Sequence, residues 1–71
     1  MDIYTKPGTK IVVTETSAKN GYTSDENKVA AHLTIGVLYT VERMEVDSWS
    51  SEVYLEEFPN IPFNSVNFEN I

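Results

Sequence analysis

The side chains that could do covalent chemistry are few, and their spacing suits no known catalytic pattern. One histidine, His32, stands alone and there is no cysteine. Thiolate nucleophiles, disulfides and Cys-based metal sites are therefore excluded. Ser48, Ser50 and Ser51 crowd together, but neither a G-x-S-x-G elbow nor an S-x-x-K pair accompanies them. Glu56 and Glu57 are the obvious paired carboxylates. On a strand, however, adjacent side chains point to opposite faces, so the two cannot flank one scissile bond. The three glycines are isolated, which leaves no phosphate-cradling loop. Asp25-Glu26-Asn27 has neither the length nor the closing Glu of a calcium loop. The expectation is a protein that is not an enzyme and that carries no cofactor or metal.

Recognition chemistry is better represented. Glu52, Tyr54 and Glu56 fall on one parity of a strand-like run, opposite Val53 and Leu55. They would form an acidic stripe with an aromatic centre, suited to an Arg- or Lys-bearing partner through charge and cation–π attraction. The competing reading is an ordinary cross-strand aromatic pair, for example Tyr54 with Tyr39. Trp49 lies in a serine-rich connection, Asp47–Ser51. It is either a lid folded over the core or an exposed interface anchor of the kind enriched at binding hot spots. Tyr22, beside the Asn20-Gly21 turn, is a further contact candidate.

Charge supports a protein partner with a basic surface over nucleic acid. The formal net charge is −6. Residues 1–35 balance Asp2, Glu15, Asp25 and Glu26 against Lys6, Lys10, Lys19 and Lys28, whereas residues 36–71 set seven acids against Arg43 alone. Gripping phosphates needs clustered cations, so direct nucleic-acid binding is disfavoured. The same acids could instead keep the surface soluble. The N-terminal residues lack the basic start and apolar run of a signal peptide, and no stretch approaches the roughly 20 apolar residues of a membrane helix. A cytoplasmic protein without membrane contact is expected.

The elements that must position these residues read mainly as short strands within a single domain, residues 1–71. Lys10–Thr16 is a β-branched strand with Ile11 and Val13 on one face. Asn20-Gly21 turns the chain, and Thr23-Ser24-Asp25-Glu26 matches a capping box, which predicts a helix from about Ser24 to Leu33 with Val29, Ala30 and Leu33 toward the core. Gly36 returns the chain to a strand over 37–46, where a bulge near Glu42-Arg43 would bring Tyr39, Val41, Met44 and Val46 to one side. Residues 51–58 form the next strand. Pro59 and Pro62 bound a turn, with Phe58 and Phe63 closing one end, and 65–69 make the last strand with Val66 and Phe68 inward.

Three segments together resemble a known group: Leu33-x-x-Gly36-x-x-Tyr39-x-Val41, the Val53-Tyr54-Leu55 strand, and Phe63-Asn64-Ser65-Val66-x-Phe68-Glu69. Over roughly residues 8–69 the chain resembles small SH3-like β-barrel proteins encoded by phages and prophages of low-GC Gram-positive bacteria. The resemblance implies an SH3-like barrel of four to five short strands, with one short helix inserted after the first strand and a 3₁₀ turn, assigned to "NIPFN", before the last. It also implies a phage modulator of a host process such as a defence system, acting in the cytoplasm of the bacterial host. The Ala-Leu-Tyr-Asp-Tyr motif of peptide-binding SH3 domains has no counterpart in "IVVTET", so proline-rich peptide recognition does not follow. Three alternatives stay open: a DNA mimic that occupies a nucleic-acid-binding enzyme, an oligomer that sequesters a small ligand between copies, and a virion assembly component.

Overall fold

The computed structural model describes residues 1–48 and 50–71. Five strands form one antiparallel sheet: β1 Lys10–Val12, β2 Leu38–Val46, β3 Ser51–Leu55, β4 Phe58–Asn64 and β5 Glu69–Asn70, in spatial order β4-β3-β2-β1-β5. A 3₁₀ turn (Ser17–Lys19) and one helix, α1 (Thr23–His32), separate β1 from β2, and a second 3₁₀ turn (Ser65–Asn67) precedes β5. The sheet is open, with β4 and β5 as its edges. The closed barrel expected from sequence is therefore not formed: the sheet stays open, α1 packs against β4, and the second 3₁₀ turn packs against β3.

β2 carries a bulge. Its register against β3 shifts between Val41 and Arg43, which leaves Glu42 as the bulged residue. The N-terminal part of β2 pairs with β1 and the remainder pairs with β3. A bulge re-aims the following residues and increases local twist, so Tyr39, Val41 and Met44 all reach the core side. Val46 shares the parity of Met44, but at the strand end it is exposed. The core is one cluster in which Ile11, Val13, Val41, Val53, Leu55, Phe63 and Phe68 are almost wholly buried. Phe63 meets both Phe68 and Phe58 edge-on at ring-centroid distances of 6.0 and 6.3 Å, the offset that aromatic quadrupoles favour.

The cap of α1 sits one residue earlier than the sequence pattern predicts. Tyr22 is the N-cap residue and Asp25, not Glu26, reaches back: the Tyr22 N–H donates to Asp25 Oδ2 at 3.0 Å. The reason lies in Gly21, whose φ of +81° turns the chain so that Tyr22 begins the helix. Val29 and Leu33 are buried as expected, while Ala30 is exposed. His32 packs edge-on to Phe58 and Phe63 at 5.8 and 6.1 Å, with Nδ1 3.0 Å from the Lys28 carbonyl oxygen.

The proline segment and the last strand also differ from the sequence expectation. Residues 58–64 form an edge strand, not a turn. The tight turn lies at Glu56-Glu57, and Pro59–Pro62 bulge away from β3, because Leu55 pairs with Phe58 while Val53 pairs with Phe63. Prolines lack the N–H that a central strand must donate, so they are tolerated here because β4 is an edge. The 3₁₀ turn falls at Ser65–Asn67, directly after the segment 60–64 assigned to it. This shift puts Val66 outward and Asn67 inward, so Val66 does not share the buried face with Phe68.

Candidate functional site

The β2–β3 hairpin carries most of the candidate residues, and strand alternation sorts them. Arg43 lies opposite Tyr54, Glu45 opposite Glu52, and Met44 opposite Val53. Since Val53 and Leu55 are fully buried, Glu45, Glu52, Arg43 and Tyr54 share the outer face. Tyr54 is half-buried on that face, and what covers it is not Tyr39. Tyr39 is a core residue whose hydroxyl accepts from the Thr34 N–H at 2.9 Å. The Arg43 guanidinium lies over the Tyr54 ring, 3.8 Å from its centroid. The cation–π position anticipated for a partner's cation is thus occupied from within the chain.

Arg43 organises the carboxylates around it. It pairs with Glu42 at 2.7 Å and with Glu45 at 3.7 Å. Glu52 has no cation partner among the described residues, although it stands directly across from Glu45. Like charges directly opposite on an antiparallel pair are destabilising. A Glu52→Gln variant is expected to gain about 0.2–1 kcal/mol of stability, read from urea unfolding in low salt. The gain should shrink as salt screens the pair.

The Tyr54 phenol is pushed above its ordinary value of 10.0. The main cause is the Glu45 carboxylate acting as a hydrogen-bond acceptor, followed by desolvation and by the charges of Glu45 and Glu52, with Arg43 opposing. Since the folded value exceeds the unfolded one, the contribution is complete below pH 10 and is lost as pH rises through the folded value. In an ultraviolet titration one tyrosine is expected to ionise later than an unfolded tyrosine, and Glu45→Gln should bring it back toward the ordinary value.

The remaining sequence candidates lie elsewhere. Glu56 is exposed at the β3–β4 turn, where its N–H donates to the Thr40 carbonyl at 2.9 Å. Glu57 turns back, and its carboxylate accepts from the Thr40 N–H at 3.0 Å; the two residues form the turn, so the strand alternation expected of them does not apply. Tyr22 is 80% exposed and borders a shallow groove of about 410 Å³ together with Val46, Asp47, Ser48 and Val66. That groove is on the other side of the hairpin from Tyr54, because Val46 and Ser51 have the parity opposite to Glu45 and Glu52. Trp49 lies outside the described residues.

Two features escaped the sequence reading. Arg43 has the spacing of an ordinary solvated cation, and only the bulge at Glu42 sets it opposite Tyr54. Asn67, fully buried, donates from Nδ2 to the carbonyls of Ser17 and Asn20 at 3.0 and 2.9 Å, and to that of Ala18 at 3.4 Å. Among the described residues no group of three His, Asp or Glu side chains is placed to hold a metal, and no helix is long and apolar enough to cross a membrane.

Comparison with known proteins gives one result. A family model described as "Bacteriophage T4 protein Y07B" matches residues 2–71. No curated protein and no solved structure matches the chain.

Proposed function

We propose that this chain, which belongs to the bacteriophage T4 protein Y07B family, is a non-enzymatic phage protein that binds a basic host protein through the outer face of its β2–β3 hairpin. The observation that carries this reading is Glu52, which stands beside Tyr54 and directly across from Glu45 with no cation partner of its own among the described residues, Arg43 reaching only Glu42 and Glu45. A surface selected for stability alone would place a cation or a β-former at one of these positions. Two facing carboxylates instead hold a negative field open to solvent, which steers and orients a positively charged partner. Tyr54 supplies an apolar body in the middle of that field, already stacked with Arg43. The proposed setting is the cytoplasm of a phage-infected cell, with the captured protein belonging to a host process such as defence.

The fold reading that accompanies this is an incompletely closed SH3-like arrangement. Its support is the placement of β1 between β2 and β5, the long bulged β2 that serves two pairings, and the 3₁₀ turn leading into β5. The DNA-mimic alternative gains less from the geometry. Arg43 interrupts the carboxylates of the hairpin face, and Glu57 spends its carboxylate on a backbone N–H.

Affinity capture of the tagged protein from host lysate tests the proposal. A specific protein should be retained by the wild type and lost with Glu45→Lys/Glu52→Lys, with Tyr54→Ala and at raised salt. Retention of the same protein by all the variants would refute the assignment of this face.

A further inference from the structure

The Asn20-Gly21 pair has a chemical consequence beyond its turn. In such a sequence the backbone nitrogen of the glycine can attack the asparagine Cγ. The new N–Cγ bond forms as the Cγ–Nδ2 bond breaks; the glycine amide proton is transferred, and ammonia leaves. Water then opens the cyclic imide at either carbonyl, giving Asp or isoaspartate, so the net reaction consumes one water and releases one ammonia. Gly is the least hindered residue at the attacking position, and of the six asparagines only Asn20 precedes a glycine. Asn20 is exposed, so water has access to it.

The folded geometry opposes this reaction. Asn20 has ψ 158°, an extended backbone that swings the Gly21 nitrogen away from Cγ. Its Nδ2, the leaving group, donates to the Val66 carbonyl at 3.0 Å. Its own carbonyl accepts from buried Asn67 Nδ2 at 2.9 Å, and the Ser17 hydroxyl donates to the Asn67 carbonyl at 2.9 Å. These bonds clamp Asn20 between the two 3₁₀ turns, and ring closure requires that clamp to open.

We propose that Asn20 is a site of spontaneous deamidation, gated by local opening of the contact that Asn67 makes between the two 3₁₀ turns. Conversion takes the formal charge from −6 to −7 and replaces the Asn20 donor to Val66 with an acceptor. Isoaspartate also lengthens the backbone at the carbonyl that Asn67 holds, so each event weakens the clamp that had slowed it.

The test follows deamidation by peptide mass and isoaspartyl-methyltransferase labelling in mildly alkaline buffer, with and without denaturing urea. The product is expected on the Asn20 peptide, forming at least about tenfold more slowly in the folded protein, since exchange-type reactions follow the opening equilibrium. Asn67→Ser should raise the folded rate and leave the rate in urea unchanged. Ser17→Ala, a milder loosening that serves if Asn67→Ser does not fold, should act in the same direction. Absence of product at Asn20 in urea, equal folded and unfolded rates, or a folded rate unmoved by Ser17→Ala would each overturn the proposal.

Discussion

An Asn67→Asp variant is expected to lose most of the domain's stability at neutral pH, more than Asn67→Ala loses. A chain of 71 residues has a total of roughly 4–11 kcal/mol to lose. Asn67 is fully buried, and its Nδ2 serves carbonyls of Ser17, Ala18 and Asn20 on the opposite 3₁₀ turn. Truncation to Ala deletes those bonds and strands buried acceptors, a cost of about 2–4 kcal/mol. Aspartate keeps the shape but offers only oxygens, so a carboxylate would face the carbonyls, and a buried unpaired charge costs more than a missing bond. Oδ1 already lacks a partner among the described residues, so the gain from this side chain comes through its nitrogen. Urea unfolding of the three proteins checks the order wild type, Ala, Asp. Relative to the wild type, the Asp variant should partly recover at low pH, where the protonated carboxyl regains a donor.

The second large effect is expected at Gly21. Gly8, Gly21 and Gly36 all have positive φ, at +90°, +81° and +85°, and any L-residue there carries a backbone penalty of about 1–2 kcal/mol. Gly21 carries a second cost. A Cβ at that position would stand 2.7 Å from Asp25 Oδ2 and 3.4 Å from Asn64 Nδ2, whereas nothing lies within 4 Å at Gly8 or Gly36. The displaced carboxylate is the one that accepts from the Tyr22 N–H at 3.0 Å and from Asn64 Nδ2 at 3.2 Å. Losing it frees the helix N-terminus and its tie to β4, which adds about 1 kcal/mol. Gly21→Ala is therefore expected to cost about 2–3 kcal/mol and the other two Ala variants only the backbone penalty. Equal effects at all three positions would show that the contact with Asp25 contributes nothing.

These two positions also show what the sequence could and could not reveal. Local periodicity was enough for the strand parities of β3, for the bulge in β2 and for a helix near residue 24, because each depends on side-chain alternation or on a cap within a few residues. Tertiary context decided the rest. Two prolines read as a turn until β4 is known to be an edge, where a missing N–H costs no ladder bond. Asn67 reads as a strand residue until the 3₁₀ turn rotates it inward to meet carbonyls 47 to 50 residues away. Within the candidate site, the outward parity of Glu52 and Tyr54 was legible. The partner of Tyr54 was not, because pairing with Arg43 depends on the one-residue register shift at Glu42, and such a shift exchanges every later cross-strand neighbour.

The outer face of the β2–β3 hairpin is the binding surface proposed for a basic host protein. Its most direct measurement is site-specific photo-crosslinking in phage-infected host cells, with a photoreactive residue placed at position 52 on that face or at position 30 on the exposed side of α1. A discrete host-protein adduct from position 52, abolished by Glu45→Lys and absent from position 30, is the predicted result. An adduct from position 30 with none from position 52 would contradict it.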